Sequence, residues 1–423
     1  MSSVGDPHTL HKTETPGHIE ETNHDEIRKL LLLAWSSYLN PNPRVIDDNA
    51  RKTWLDLENC PWAENLSLGD TLETGFNGCC ERLKLLKFFS SDEVAASDAD
   101  VDAQAFIGES EDRGSLCISF RGTTSIVDWI ASFTTMKTRW EPTEDAQRGG
   151  AGMFACLDCL CPKGKPMVHL GWYKAFLALK PLLDEFRRLA KTPRHEICFV
   201  GHSQGGVLAA MAMTYFFEEE AINIPTWIRN NTVVKLFSIG QPKAGDDHFQ
   251  RYFYDTSNQM RKAGLLRIYR IINNQDPCVC FPPSSAGYEH VGKPICYELE
   301  GTVKGQQGVV MSFGDEGQAH AKDERAAYEE AGVMDYDIYE REMYNTDHEF
   351  KGTLMVRNVD MAALEKIKEA HAPITYYRAF NACKDDGGIQ ASDMVIRERP
   401  KVKKNPSLLK FNVSSSKGGD NQV

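Results

Sequence analysis

The chain has 423 residues, enough for a sizeable buried core, whether it folds as two or three domains or as one α/β unit with insertions. Hydrophobic residues make up 41% and charged residues 26%, ordinary globular usage that excludes collagen-like, wholly disordered and coiled-coil chains. With 48 basic against 60 acidic residues the net charge is −12, which repels phosphate backbones and supplies no polybasic patch for an anionic bilayer, so no nucleic-acid partner is expected.

Residues 1–24 are polar and His-rich without an apolar h-region, and no run of roughly 18 apolar residues follows anywhere, so neither secretion nor membrane spanning is expected. The reading is a disordered tail, a cytoplasmic location and 12 cysteines that stay reduced. A first helix begins near Asn23 and Asp25, where acidic residues suit its N-terminus, with Ile27, Leu30, Leu31 and Ala34 on one face. From Ala105 onward short β-branched runs appear: AFIG, LCISF, ICFV, VVKLFSIG and LLRIYRII. Between them, Ala175 to Ala190 has helical spacing of Phe176, Leu179, Leu183, Phe186 and Leu189, and Val207 to Phe217 is apolar almost all round. Strand then helix, repeated, predicts a three-layer α/β fold around a mostly parallel sheet buried on both faces.

Two segments break this rhythm and read as insertions. Residues 141–165 hold Cys156, Cys159 and Cys161, and residues 301–341 are acidic and Gly-dotted, with a short helix expected near 323–331. The cysteine cluster has no nearby fourth ligand at zinc-like spacing, although Cys60 or the Cys79–Cys80 pair could complete one in space. One domain is expected over residues 25–394, and residues 395–423 read as a second polar tail.

The sharpest chemical signal is Gly201-His202-Ser203-Gln204-Gly205, set between the apolar run Ile197 to Val200 and an apolar helix. Strand, tight turn and helix are the context of a nucleophile elbow, in which flanking glycines let strand and helix approach and Ser203 projects above the sheet. His202 is its neighbour and not a base. A serine hydroxyl needs an imidazole to take its proton and a carboxylate to orient that imidazole. Asp276, in the loop after the strand Leu265 to Ile272, fits the acid, although an Asp before Pro is also a common turn former.

Four histidines follow Asp276. His290 leads toward another strand and reads as structural, and His320 lies in the acidic insertion. His348, in Asn345-Thr346-Asp347-His348-Glu349-Phe350, sits on a loop suited to deliver a base and is the candidate. His371 comes late in a helix and ranks behind His348 and His320.

Acyl transfer also needs backbone amides aimed at the developing oxyanion. Gln204 supplies one, and the loop Phe120-Arg121-Gly122-Thr123 after LCISF supplies the other through Thr123. Just beyond, Ile126, Trp129, Ile130 and Phe133 form one apolar stripe. Such a stripe is usually core packing, the reading the residues alone favour over a movable cover whose apolar face meets lipid.

Taken in order, these residues resemble the class 3, or fungal lipase-like, branch of the α/β-hydrolases. The likeness runs from Ala105-Phe106-Ile107-Gly108 through Phe120-Arg121-Gly122-Thr123, Asp128-Trp129, Val168-His169-Leu170-Gly171-Trp172, the elbow and Gly240-Gln241-Pro242-Lys243-Ala244-Gly245. It continues through Asp276-Pro277-Cys278-Val279 to Phe281-Pro282-Pro283 and His290. The resemblance implies an α/β-hydrolase fold with Ser203 as nucleophile, Asp276 as acid, Thr123 and Gln204 as oxyanion hole, and residues 125–133 as lid. It implies a base in a late Asp-His segment followed by Tyr or Phe, which Asp347-His348 with Phe350 meets approximately. His169 and His290 align with positions that are not the base. Two departures are the longer segment before Val168 and Gln204 where Leu is common.

The expected activity is hydrolysis of lipid carboxylic esters, of the triacylglycerol or diacylglycerol lipase kind, at a lipid–water interface and without a cofactor. Contact with a membrane surface or lipid droplet fits that reading. The rivals are a lipase-like scaffold used for ligand sensing or protein binding, and a peptidase or thioesterase using the same elbow.

Overall fold

A computed structural model describes residues 24–41, 67–91, 103–123, 136–142, 164–273, 276–282, 286–292, 294–300, 307–313, 336–339, 353–356 and 369–384. The first element is helix α1 (His24–Ser36), where the sequence predicts it. It is buried over more than the predicted face, with Leu30 to Trp35 all enclosed, because it is sandwiched between the sheet and the last helix. Its end is marked by Ser36 and Ser37, whose hydroxyls turn back onto the carbonyls of Leu33 (2.9 Å) and Ala34 (2.6 Å). Helix α2 (Leu68–Glu73) is capped by the Ser67 hydroxyl, which accepts from the Asp70 amide.

The strands follow as β1 (Leu83–Ser90), β2 (Gln104–Ser110), β3 (Ser115–Phe120), β4 (Lys137–Arg139), β5 (Met167–His169), β6 (Glu196–His202), β7 (Val233–Ile239) and β8 (Leu266–Asn273). They continue as β9 (Pro294–Glu300), β10 (Gln307–Phe313), β11 (Tyr336–Tyr339) and β12 (Thr353–Val356). The main sheet has eight strands in the order β1-β2-β3-β6-β7-β8-β9-β10. Its centre, β3 through β9, is parallel, and antiparallel β1-β2-β3 and β9-β10 pairs finish the two edges. The five predicted runs are β2, β3, β6, β7 and β8. Strand β1 is not among them: Lys84 and Lys87 interrupt its apolar pattern, since it is only half covered. The segment 301–341 is not a plain insertion, because Gln307–Phe313 pairs with β9 and extends the sheet. The helix expected near 323–331 lies outside the described residues, as do both tails and Cys156, Cys159 and Cys161.

Helices α3 (Leu170–Ala178) and α4 (Lys180–Ala190) replace the single helix expected across 175–190; Pro181, which has no N–H, begins the second. Helix α5 (Gln204–Glu219) follows β6 and is buried on nearly every side, as its uniform apolarity demands. Helices α6 (Asp247–Thr256) and α7 (Pro373–Lys384) complete those described at length. The period-two alternation of the strands sorts side chains between two cores. Phe106, Cys117, Cys198 and Val200 face α1 and α7, while Ile107, Ile118, Ile197 and Phe199 face α3, α4 and α5. This is the three-layer α/β architecture that the alternation of strand and helix predicts. No helix among the described residues is long and apolar enough to cross a membrane.

One carboxyl group sits inside the second core. The Trp140 indole N–H donates to Glu218 Oε1 at 2.6 Å, and burial pushes this carboxyl from its ordinary 4.5 up to about 8 against the opposing Trp140 and Tyr252 contacts. A raised folded pKa means the native state holds a proton that the unfolded chain has released. Stability from this group is therefore full below about 4.5 and is lost as pH rises through about 8. Thermal melts at about pH 6 and about pH 9 should show a loss on the alkaline side that Glu218→Gln reduces. An equal loss in the variant would show that Glu218 does not carry it.

Candidate active site

The parallel strands converge on one edge of the sheet. The loops leaving the carboxyl ends of β3, β6, β7 and β8 carry Gly122 and Thr123, Ser203, Gly240 and Asp276 respectively. Ser203 has φ 58° and ψ −128°, a left-handed conformation disfavoured for a residue with a side chain. The glycines around it explain how that turn closes. A Cβ on Gly201 would overlap the Gly205 carbonyl, and a Cβ on Gly205 would overlap the Phe120 carbonyl at the end of β3. Strand, turn and helix meet backbone to backbone, which holds Ser203 in its strained geometry. Its Oγ is buried and has no hydrogen-bond partner among the described residues.

Asp276 and His371 meet across 95 residues, with Nδ1 at 2.7 Å from Oδ2. A carboxylate only accepts, so Nδ1 carries the proton and Nε2 is left as the basic nitrogen. Both side chains are essentially sealed from solvent, at 1% and 0% exposure. The carboxylate has further donors: Tyr376 Oη reaches Oδ2 at 2.6 Å and the Cys278 amide reaches Oδ1 at 2.9 Å. Burial, followed by the adjacent Asp276 charge, keeps the Tyr376 hydroxyl well above its ordinary pKa, so it acts as a donor. Gly240, between β7 and the next turn, fills the space beside them; a Cβ there would lie 3.1 Å from both Asp276 Oδ2 and His371 Cε1. Its amide bonds the Ile271 carbonyl while the Ser203 amide bonds that of Ile239 (2.8 Å), so elbow and Asp–His pair share one frame.

The imidazole at Asp276 is therefore His371, and the assignment of His348 as its partner is corrected. His348 and His320 lie outside the described residues. His371 does sit late in a helix, as expected, being the last residue of a helical segment that ends one residue before α7 begins. The signal that identifies it is Pro373: a helix interrupted at an X-Pro step presents its last side chains at a junction, as a loop would. His290 and His169 are elsewhere. The His290 carbonyl accepts from Gln250, and His169 caps α3 through the Trp172 amide while stacking on the Trp172 ring at 4.1 Å.

The loop after β3 is packed directly on the elbow. A Cβ on Gly122 would lie 2.7 Å from the His202 carbonyl and 2.9 Å from Ser203 Cβ, and would overlap the Tyr38 hydroxyl. Thr123 is the next residue, and Gln204 starts α5. Backbone amides from two loops thus flank Ser203. The side-chain stripe Ile126, Trp129, Ile130 and Phe133 lies outside the described residues. Cys278 Sγ joins Asp276 and His371 in a set of ligand-type atoms within 4.8 Å of one another. Asp276 Oδ2 is already bonded by both His371 and Tyr376, so the arrangement reads as an oriented Asp–His pair and not as a cation site.

Replacing Gly205 by Ala should push α5 off the end of β3 and destabilise the fold by about 3 kcal/mol, read as the shift in urea midpoint. An unshifted midpoint would remove the backbone contact as the cause of the Ser203 geometry.

Comparison with known proteins finds similarity over the stretch that carries this site. The class 3 lipase family matches residues 117–285. The Rhizomucor miehei lipase is 24% identical over 219 residues, covering 50% of this chain and 48% of its own length. The secreted mono- and diacylglycerol lipase 2 of Gibberella zeae is 26% identical over 212 residues, covering 47% of each. The chain thus spans about half the length of the curated relatives it matches. Among solved structures, the native Rhizomucor miehei lipase propeptide complex aligns over 70% of this chain and 75% of its own, at 20% identity and TM-score 0.42. An Aspergillus oryzae mono- and diacylglycerol lipase aligns over 65% and 79%, at 18% identity and TM-score 0.41. Residues 117–285, the stretch that carries both the Ser203 elbow and Asp276, are thus the part of the chain that is similar to class 3 lipases.

Proposed function

We propose that the chain is a serine acyl hydrolase acting on carboxylic esters of lipids, with Ser203, His371 and Asp276 as its triad. The observation that carries this reading is the buried His371–Asp276 bond, formed beside a serine held in a strained elbow. In the first half-reaction Ser203 Oγ bonds to the ester carbonyl carbon while His371 Nε2 takes its proton. The carbonyl electrons collect on oxygen, opposite the amides of Thr123 and Gln204. Their return breaks the C–O bond, and His371 gives the proton to the departing alcohol. Water then repeats the sequence on the acyl-enzyme, losing its proton to His371 and releasing the acid with Ser203 restored. Asp276 keeps Nδ1 protonated and balances the imidazolium charge, which is strongly felt because water is excluded from the pair.

Acylglycerols are the proposed substrate class, supported by the names of the relatives as lipase and as mono- and diacylglycerol lipase. A cover formed by the segment holding Ile126, Trp129, Ile130 and Phe133, acting at a lipid surface, belongs to the same proposal. Its support is the apolar stripe directly after the Gly122–Thr123 loop.

Ser203→Ala should lower turnover of a medium-chain nitrophenyl ester by roughly 10⁴ to 10⁶, and a fluorophosphonate should label Ser203 in the wild type. His371→Ala should suppress labelling to a similar degree, whereas His348→Ala should label at close to the wild-type rate. Full labelling of His371→Ala would sink the triad as assigned; a wild type that hydrolyses nothing and takes no label would favour the scaffold reading.

A further inference from the structure

The elbow carries a second histidine that the reaction does not consume. His202 is fully buried, and its Nε2 lies 2.7 Å from the backbone carbonyl of His371 while its Nδ1 lies 2.7 Å from the Tyr38 hydroxyl. The two imidazole rings are 4.8 Å apart between centroids, tilted by 45°. We propose that His202, whose Nδ1 side is braced by Tyr38, is the positioning residue that sets where the His371 ring stands relative to Ser203. The claim rests on the hydrolase reading above and deepens it.

The bond directions follow from elementary valence. A carbonyl only accepts, so His202 Nε2 carries the proton. Burial, followed by the neighbouring His371, drives the His202 pKa well below its ordinary value, so the ring is neutral and Nδ1 is an acceptor. Tyr38 must then be the donor, its hydroxyl meeting Nδ1 in the tautomer that the His371 carbonyl fixes. An apolar residue at position 202 would fill the volume and take this donor away from a buried carbonyl.

Tyr38 is itself fixed by the turn after α1. Gln104 Nε2 donates to the carbonyls on either side of it, Ser37 at 2.7 Å and Leu39 at 3.0 Å, while Gln104 Oε1 accepts from Arg121 at 2.8 Å. Ser37 Oγ also reaches the Phe120 carbonyl at 3.2 Å. One turn near the N-terminus therefore braces both the loop that carries Thr123 and the elbow histidine that grips His371. Without the grip, the triad would lean more heavily on the Asp276 bond to place a residue that arrives 95 positions further along the chain.

The test compares His202→Phe, His202→Gln and Tyr38→Phe with wild type and His371→Ala in the full chain. Gln keeps an N–H near the Nε2 position, and Phe keeps only the ring. Displacement of a base by about 1 Å costs on the order of 10²-fold, so His202→Phe should lose about that much kcat with KM little changed, and His202→Gln should recover most of it. The downfield proton of His371 Nδ1–H, identified by its loss in His371→Ala, should shift in His202→Phe and return in His202→Gln. Tyr38→Phe should leave His202 Nδ1 without this donor, shift the same His371 proton by a smaller amount and lower kcat. Wild-type kcat and an unmoved proton in a folded His202→Phe would overturn the proposal, as would a Gln variant no better than Phe at equal melting temperature. Should His202→Phe fail to fold, unchanged kcat and an unmoved His371 proton in Tyr38→Phe would overturn it instead. If wild type takes no fluorophosphonate label, the hydrolase reading fails, and the His371 proton still decides whether His202 holds the ring.

Discussion

Everything at this site depends on a carboxylate held where water does not reach. An Asp at 2% exposure is costly to bury unless each oxygen is met by donors, and Asp276 has three: the His371 ring, the Tyr376 hydroxyl and the Cys278 amide. Two come from the junction at the start of α7 and one from the Asp276 loop itself. The requirement to satisfy that carboxylate is what pulls the C-terminal helix over the edge of the sheet. Removing any donor leaves a buried acceptor exposed to its full desolvation cost, of order 1–3 kcal/mol.

The second constraint is steric and belongs to the elbow. Ser203 pays for its left-handed backbone with contacts that only glycine at 201 and 205 permits, and Gly122 lets the β3 loop lie against the same turn. Strain at Ser203 and close approach of three backbones are one feature seen from two sides. Because β3, β6, β7 and β8 run parallel, their carboxyl ends deliver all of these loops to one edge without further adjustment.

Charge is also buried away from the site. Beneath α1, Glu196 sits between Lys29 and Lys235, and Lys235 also meets Glu26; although burial alone would raise the Glu196 carboxyl, the two lysines bring it down to about 2. Arg187 links α4 to Glu219 and Glu220 at the end of α5. These partly enclosed pairs fix helix orientation on each face of the sheet more than they add net stability. By contrast Glu218 has no cation beside it among the described residues and keeps its proton to about 8, a polar group held by an indole within an aromatic cluster.

What could be read from the residues alone were the features encoded within a few positions of each other. The GHSQG pentapeptide between an apolar run and an apolar helix, the Asp276 loop after β8, and the alternation of strand with helix are all local, because strand pairing and elbow sterics act on neighbours in sequence. Strand β1, split by lysines, and β10, embedded in acidic, Gly-dotted sequence, were not legible, since each takes its strand state from a partner along the sheet edge. The base illustrates the same division most sharply. Several late histidines have equally plausible local settings, and motif spacing favours His348 over His371. The choice of His371 is made by tertiary packing: a buried carboxylate at Asp276 and a buried carbonyl gripped by His202 are conditions that the residue at the α7 junction meets, and neither condition is written near that residue in the chain.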